Sequence, residues 1–138
     1  MRKTLFAMAS LVLVLSAAAC SDSATGLGYG NISGSYSLQT FNGSNLPALF
    51  DQTSVQERDL VSETFTLYSD GTYADDYRMR VIDQNGTSDL NYHDVGTYQQ
   101  NNSALQFRDS STGNGFTGSI TGNTLTITQF GDVYVFSK

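Results

Sequence analysis

The chain of 138 residues contains no tryptophan, one cysteine (Cys20), one proline (Pro47) and one histidine (His93). A lone cysteine excludes an internal disulfide and any metal site built on several thiolates. A lone histidine, with no G-x-S-x-G segment, leaves no acid, base and nucleophile set to assemble. No catalytic residue is therefore assigned, and the chain is not expected to be an enzyme. Positive charge is also scarce: seven basic side chains against 13 acidic ones give a net charge of −6. Phosphate recognition needs clustered Lys and Arg, so nucleic acid is not expected as a partner. Charged residues of both signs make up only 14% of the chain. Glycine, serine, threonine and asparagine take their place, a mixture that suits short strands and tight turns better than helices. The length suffices for one ordinary domain and not for two.

Residues 1–19 read as a secretory signal. Arg2 and Lys3 precede an apolar stretch from Leu5 to Ala19 that ends in Ala17, Ala18 and Ala19. A basic start, a short apolar run and small residues at its end are the three parts of an export signal. The run is shorter than the roughly 20 residues that a bilayer-spanning helix needs. Cleavage before Cys20 leaves 119 residues with five basic and 13 acidic side chains, net −8. Residues 20–31 are small, polar and glycine-rich and read as a flexible tether, leaving 32–138 as the domain.

From Ile32 onward apolar and polar residues alternate with period two, and no window shows helical periodicity. Turn signals set the expected register. Asn85-Gly86 predicts a hairpin pairing Val81 with Leu90, Met79 with Tyr92, Tyr77 with Asp94 and Tyr73 with Tyr98. Arg78, Arg80, Asn91 and His93 then fall on the other face. Ser69-Asp70-Gly71 pairs Leu67 with Tyr73 and brings Phe65 and Val61 to the apolar face. Asn101-Asn102 pairs Tyr98 with Leu105 and Gly96 with Phe107. Gly122-Asn123 pairs Ile120 with Leu125 and Gly118 with Ile127, leaving Thr117, Ser119, Thr121, Thr124, Thr126 and Thr128 outside. The 110–115 loop and the turn near Phe130-Gly131 each admit more than one register.

Strands are predicted at 32–41, 61–69, 72–82, 89–99, 104–109, 116–121, 124–129 and 133–137. The expected fold is all-β: an eight-stranded antiparallel up-and-down meander closed into a small barrel, which removes exposed edges. A two-sheet sandwich is the open alternative. The segment 42–60, with Pro47 and the run Leu46–Phe50, is a short helix, another strand or a lid.

The same register puts two carboxylates, Asp75 and Asp94, on the apolar face beside Tyr73, Tyr77, Tyr92 and Tyr98. With Tyr36 from the first strand, these tyrosines either fill the barrel or line a ligand cavity with Asp75 and Asp94 as polar anchors. The acids Asp70, Asp75 and Asp76 lack EF-hand spacing, and Asp70 suits a turn, so no metal is expected. His93 is assigned to the outer face opposite Arg78, as a solvated histidine. The segment Gly113–Gly118 matches G-x-G-x-x-G, but it bridges two strands and so is a hairpin loop, not a dinucleotide cradle. No cofactor is expected.

Two resemblances extend this reading. Ala17-Ala18-Ala19-Cys20 resembles the lipobox of bacterial lipoproteins, with Ala17 where Leu is usual. The resemblance implies that Cys20 is lipidated, becomes the first mature residue and anchors the chain to the membrane. Ser21 beside it implies the outer membrane of the cell envelope. Ordinary signal cleavage at the same Ala-x-Ala, leaving a free thiol, is the rival reading. Gly34-Ser35-Tyr36, Phe41-Asn42-Gly43, Phe65–Tyr73, Gly96-Thr97-Tyr98 and Gly122–Ile127 together look like the lipocalin-like (calycin-type) domain of exported bacterial lipoproteins. Tyr36 stands where lipocalins proper carry the Trp of Gly-x-Trp. That resemblance implies a barrel that binds a small hydrophobic ligand and has no catalytic residue; the chain is expected to be a monomer. The alternative is a filled barrel that serves as a scaffold for another envelope protein. Mass spectrometry of the mature N-terminus is expected to find Cys20 acylated; an unmodified Cys20 contradicts the anchor.

Overall fold

The computed structural model describes residues 32–138; the expected signal 1–19, Cys20 and the rest of the 20–31 tether lie outside the described residues. Ten strands follow one another, with no helix among the described residues. They are β1 (Gly34–Phe41), β2 (Ser44–Asn45), β3 (Ala48–Gln52), β4 (Gln56–Leu67), β5 (Thr72–Asp83), β6 (Gly86–Asn101), β7 (Ala104–Asp109), β8 (Gly115–Thr121), β9 (Thr124–Gln129) and β10 (Asp132–Ser137). Each strand from β4 to β10 pairs antiparallel with the next. β1 pairs with both β10 and β4, which closes an eight-stranded antiparallel barrel of β1 and β4–β10. This architecture is compatible with a lipocalin-like fold.

The closure is partial, and that gives the barrel two unlike ends. β1 and β4 pair only from Gly34↔Leu67 to Ser37↔Thr64. Beyond Ser37 they part: β1 takes β2 as its neighbour (Thr40↔Asn45, Phe41↔Ser44), while β4 takes β3 (Ala48↔Leu60 to Gln52↔Glu57). The paired end forms a floor and the parted end a mouth. The segment 42–60 is thus neither helix nor free lid. It forms two short strands and the first five residues of an extended β4, which starts at Gln56 rather than 61.

Two turns lie one residue from their expected positions. The β5–β6 loop is Gln84-Asn85, because Asp83 Oδ1 accepts the Asn85 N–H at 2.7 Å and Gly86, at φ +124°, opens the next strand. The pairs become Met79↔Leu90, Tyr77↔Tyr92, Asp75↔Asp94 and Tyr73↔Gly96, and His93 stands opposite Asp76 instead of Arg78. The β6–β7 loop is likewise Asn102-Ser103, with Asn102 left-handed at φ +56°, so Tyr98 pairs with Phe107. Moving a turn by one residue moves each partner by two, and every side chain keeps its face. The Leu67↔Tyr73, Ile120↔Leu125 and Gly118↔Ile127 pairs occur as expected. The two ambiguous turns settle on Phe107↔Phe116 and on Gln129↔Asp132, the latter across Phe130 and Gly131, both with positive φ.

A bulge corrects one inward assignment. Between Leu60↔Met79 and Ser62↔Arg78, Val61 is the extra residue on β4. An unpaired residue switches the side-chain alternation. Leu60, 1% exposed, therefore takes the core position expected of Val61, which is half-buried.

Aromatic rings fill the floor half. Phe65 stacks on Tyr73 with centroids 4.8 Å apart and meets Phe107 edge-on at 5.4 Å; Phe107 stacks on Phe116 at 4.8 Å. Such geometry adds about 0.5–1.5 kcal/mol per pair to the burial itself. Gly96 makes the arrangement possible, because a Cβ there would lie against Arg108 O and 2.5 Å from Tyr73 Cε1. Gly96→Ala is expected to destabilise by about 1–3 kcal/mol through overpacking, read as a lowered Tm. Gly115→Ala, whose Cβ would meet nothing nearer than Phe107 O at 3.6 Å, serves as the control and should leave Tm unchanged. Equal Tm values for the two variants would contradict this packing.

Candidate functional site

A cavity of about 220 Å³ opens at the mouth, lined by residues of β3, β4, β5, β6, β9, β10 and the β9–β10 turn. Its walls are Phe50, Leu60, Met79, Phe130 and Tyr134, with Gln129 at the rim. Its polar groups are Glu63, Asp75, Tyr77 and Asp94. The volume falls below the roughly 300–1,000 Å³ typical of drug-sized ligand sites. A small molecule is the matching guest.

Strand alternation explains how three carboxyls reach one apolar interior. Asp75 and Asp94 face each other directly across β5 and β6. Glu63 pairs with Tyr77 and Phe65 with Asp75, so Glu63 is the diagonal neighbour of Asp75. Glu63 is 8% exposed, the one polar residue among the buried set. Like charges directly opposite in a sheet are destabilising, and buried charge is costly unless it is paired. The ion pairs among the described residues are Arg58–Asp51, Arg78–Asp89, Arg80–Asp89 and His93–Asp76, all partly or well exposed. None reaches this cluster.

The proton answers part of the problem. Burial, then the charge of Asp75 and a hydrogen bond to it, pushes the Glu63 carboxyl well above the usual range. Burial, then the Asp94 charge, pushes Asp75 up to about 7, with the Glu63 hydrogen bond acting the other way. The two carboxyls hold a proton between them. Burial and the neighbouring carboxylates also push the Tyr77 and Tyr134 phenols up, so both stay protonated donors. Tyr77 uses its hydroxyl on Asp94 Oδ2 at 3.3 Å. Asp75 Oδ1 is out of solvent and receives no N–H or O–H hydrogen bond apart from what a protonated Glu63 supplies.

The expected site residues divide between floor and mouth. Asp75, Tyr77 and Asp94 line the cavity. Tyr92 is not a lining residue; it stacks on Tyr77 at 4.9 Å and 13° and is 39% exposed. Tyr36, Tyr73 and Tyr98 belong to the filled core. Tyr36 donates to Ile32 O at 2.5 Å, Tyr98 donates to Tyr68 O at 2.7 Å, and Tyr73 is enclosed by Phe65, Phe107 and Phe116. The barrel is thus filled at one end and hollow at the other. Glu63 escaped the sequence reading, although it sits at period two between Val61 and Phe65, both assigned inward. Phe50, Gln129, Phe130 and Tyr134 carried no such signal, because the β3 segment and the last turn had no fixed register.

Outside the mouth, the remaining candidates behave as ordinary surface groups. His93 Nδ1 lies 2.6 Å from Asp76 Oδ1 on the exposed outer face. Asp70 Oδ1 accepts the Thr72 N–H at 3.0 Å and the Thr72 hydroxyl at 2.6 Å, which holds its carboxyl below the usual range. The Gly113–Gly118 motif runs from the end of the β7–β8 loop into β8, with no helix after it. Comparison of the chain with protein-family models, with curated proteins and with solved structures gives no match.

The raised Asp75 carboxyl has a thermodynamic sign. The folded chain holds a proton on it that the unfolded chain releases near pH 4. This group's contribution is therefore complete below about pH 4 and is lost as pH rises towards 7, at up to ~1.4 kcal/mol per pH unit for one proton. Asp51, Asp70 and Asp109 are held low by their hydrogen bonds and act below that window. Denaturant titrations between pH 4 and 7 are expected to show stability falling with pH, and Asp75→Asn flattening the fall. An unchanged slope in the variant would contradict the buried proton.

Proposed function

We propose that this chain is an exported, lipid-anchored binding protein whose lipocalin-like barrel holds a small, mainly apolar molecule at its mouth. The observation that carries the reading is the hollow half of the barrel, where apolar walls converge with a few polar groups, the usual composition of a ligand site. The lip supports it. Phe130 is 83% exposed and adopts φ +53°, a conformation that bulky residues avoid. An exposed ring in a strained turn contributes little to folding, yet it stands at the cavity edge, where a guest would cover it. Anchoring through Cys20 at the outer membrane of the cell envelope would set the monomeric barrel close to its ligand source. The chain acts by binding and not by catalysis. Across the outer sheet the order is Thr64, Asp76, His93, so the carboxylate separates the only histidine from the nearest hydroxyl in that row.

A second reading, an envelope interaction module, rests on β6. It pairs with β7 only from Gly96 onward, leaving the edge before it with Leu90, Tyr92 and Val95 exposed. An unpaired edge of this kind accepts another strand.

The test uses the mature chain, residues 20–138, made soluble by Cys20→Ser. Titrating it with the uncharged dye N-phenyl-1-naphthylamine is expected to give saturable fluorescence enhancement at one dye per chain. Phe130→Gly relieves the positive φ and removes the lip, so the fold persists while affinity falls by about 1 kcal/mol, roughly fivefold. No saturable binding would overturn the ligand reading in favour of the interaction module.

A further inference from the structure

The mouth holds more negative charge than a site for a neutral guest requires. Glu63, Asp75 and Asp94 come from three adjacent strands and border one cavity, and no Lys, Arg or His pairs with any of them among the described residues. Unpaired carboxylates in an apolar interior are costly, and replacing them with apolar residues is the ordinary way to gain stability. Their presence here calls for a positively charged counterpart.

Asp75 points to the same conclusion by a separate route. Asp75 lines the cavity, and its Oδ1 is buried and receives no hydrogen bond apart from what a protonated Glu63 supplies. Buried polar atoms are normally hydrogen-bonded, so an acceptor this poorly satisfied on a cavity-lining residue favours a donor from outside. The walls suit the rest of such a donor. Tyr77, backed by Tyr92, joins Phe50, Phe130 and Tyr134 around the opening, and aromatic faces attract cations as well as apolar groups. A metal ion fits poorly, since the described residues contain no group of three acidic, His or Cys side chains arranged to ligate one. An anion, such as a fatty acid carboxylate, would face three acids, and the guanidinium nearest the opening, Arg58 over the Phe50 ring, is already paired with Asp51.

We propose that the guest is a small organic cation, an ammonium group on an apolar or aromatic body, with its charge held by Glu63, Asp75 and Asp94. The inference rests on the cavity reading above and specifies its ligand class. The ammonium hydrogens reach the open Asp75 oxygen and the neighbouring carboxyls, while the apolar body lies against Leu60, Met79 and the aromatic lip. The cation takes the place of the shared proton, so binding releases proton to the solvent near neutral pH. The titratable groups facing the site are Glu63 from β4, Asp75 and Tyr77 from β5, Asp94 from β6 and Tyr134 from β10, with Arg58 of β4 at the edge, over the Phe50 ring and paired with Asp51 of β3. Asp76 and His93 lie behind it on the outer face.

The experiment compares three probes of one shape on the mature Cys20→Ser chain, by calorimetry at pH 7. They are 2-phenylethylammonium, its neutral counterpart 2-phenylethanol and the anion 3-phenylpropanoate. The ammonium is expected to bind at least tenfold more tightly than the alcohol, with proton release that varies with buffer, and the anion not at all. Asp75→Asn and Glu63→Gln, each of which relieves like-charge repulsion without removing bulk, should collapse the ammonium-to-alcohol preference. If the alcohol binds as tightly as the ammonium and Phe130→Gly weakens both, the cavity reading stands and the cation inference falls. An ammonium preference that survives both substitutions would also overturn it, because the charge would then be read elsewhere. Failure of all three probes, together with failure of the uncharged dye, overturns both readings.

Discussion

Everything distinctive about this barrel follows from where β1 and β4 stop pairing. Four residue pairs, from Gly34↔Leu67 to Ser37↔Thr64, close the ring at the floor. There the interior is narrow enough for rings to fill it. Past Ser37 the strands part and are capped by β2 and β3. That seam widens the barrel, adds Phe50 to the wall and leaves a hollow where side chains cannot meet across the axis. Eight strands give an interior that side chains can just fill or that holds one small ligand, and here the floor is filled and the hollow lies where the ring is parted. The split makes one end structural and the other available.

The two ends also differ in how they satisfy polar groups. Floor tyrosines end on backbone carbonyls: Tyr36 on Ile32 and Tyr98 on Tyr68. These bonds are internal and complete. Mouth carboxyls have no such closure, and only Asp94 receives a side-chain hydroxyl, from Tyr77. The bulge at Val61 lies within the mouth wall, and it lets Leu60 on one side of Ser62 and Glu63 on the other both line the cavity. Were Val61 a regular strand residue instead, alternation would turn it inward and Leu60 would lose its place in the cavity wall.

Much of this was legible in the sequence, and the reasons are physical. Alternation in β5 and β6 identified the inward faces, and it survived turns that lie one residue away from Asn85-Gly86 and Asn101-Asn102, since such a shift preserves parity. The individual partners did not survive, because Asp83 capping its own turn competes with the Asn-Gly signal. Bulges leave no comparable mark: nothing in Leu60-Val61-Ser62 says which residue is extra. Asp75 and Asp94 stood out as charges on an apolar face, and Glu63 sat on the same period without being read. Tyr36, Tyr73 and Tyr98 were indistinguishable from Tyr77 in pattern. What separates them is the side of the Ser37↔Thr64 pair on which they lie, Tyr36 beside Phe65 and Tyr77 beside Glu63, and that boundary depends on long-range pairing between β1 and β4 that local alternation does not encode.

Site-resolved carbon NMR of the Glu63 and Asp75 carboxyls across a pH titration tests the central claim most directly, namely that the mouth keeps these two acids dry and open to a cation. Asp75 is expected to titrate near 7 in the free chain, with Glu63 also displaced well upward, and both to move down when 2-phenylethylammonium is added. Ordinary carboxylate values near 4 for both, unmoved by the ammonium, would contradict the account.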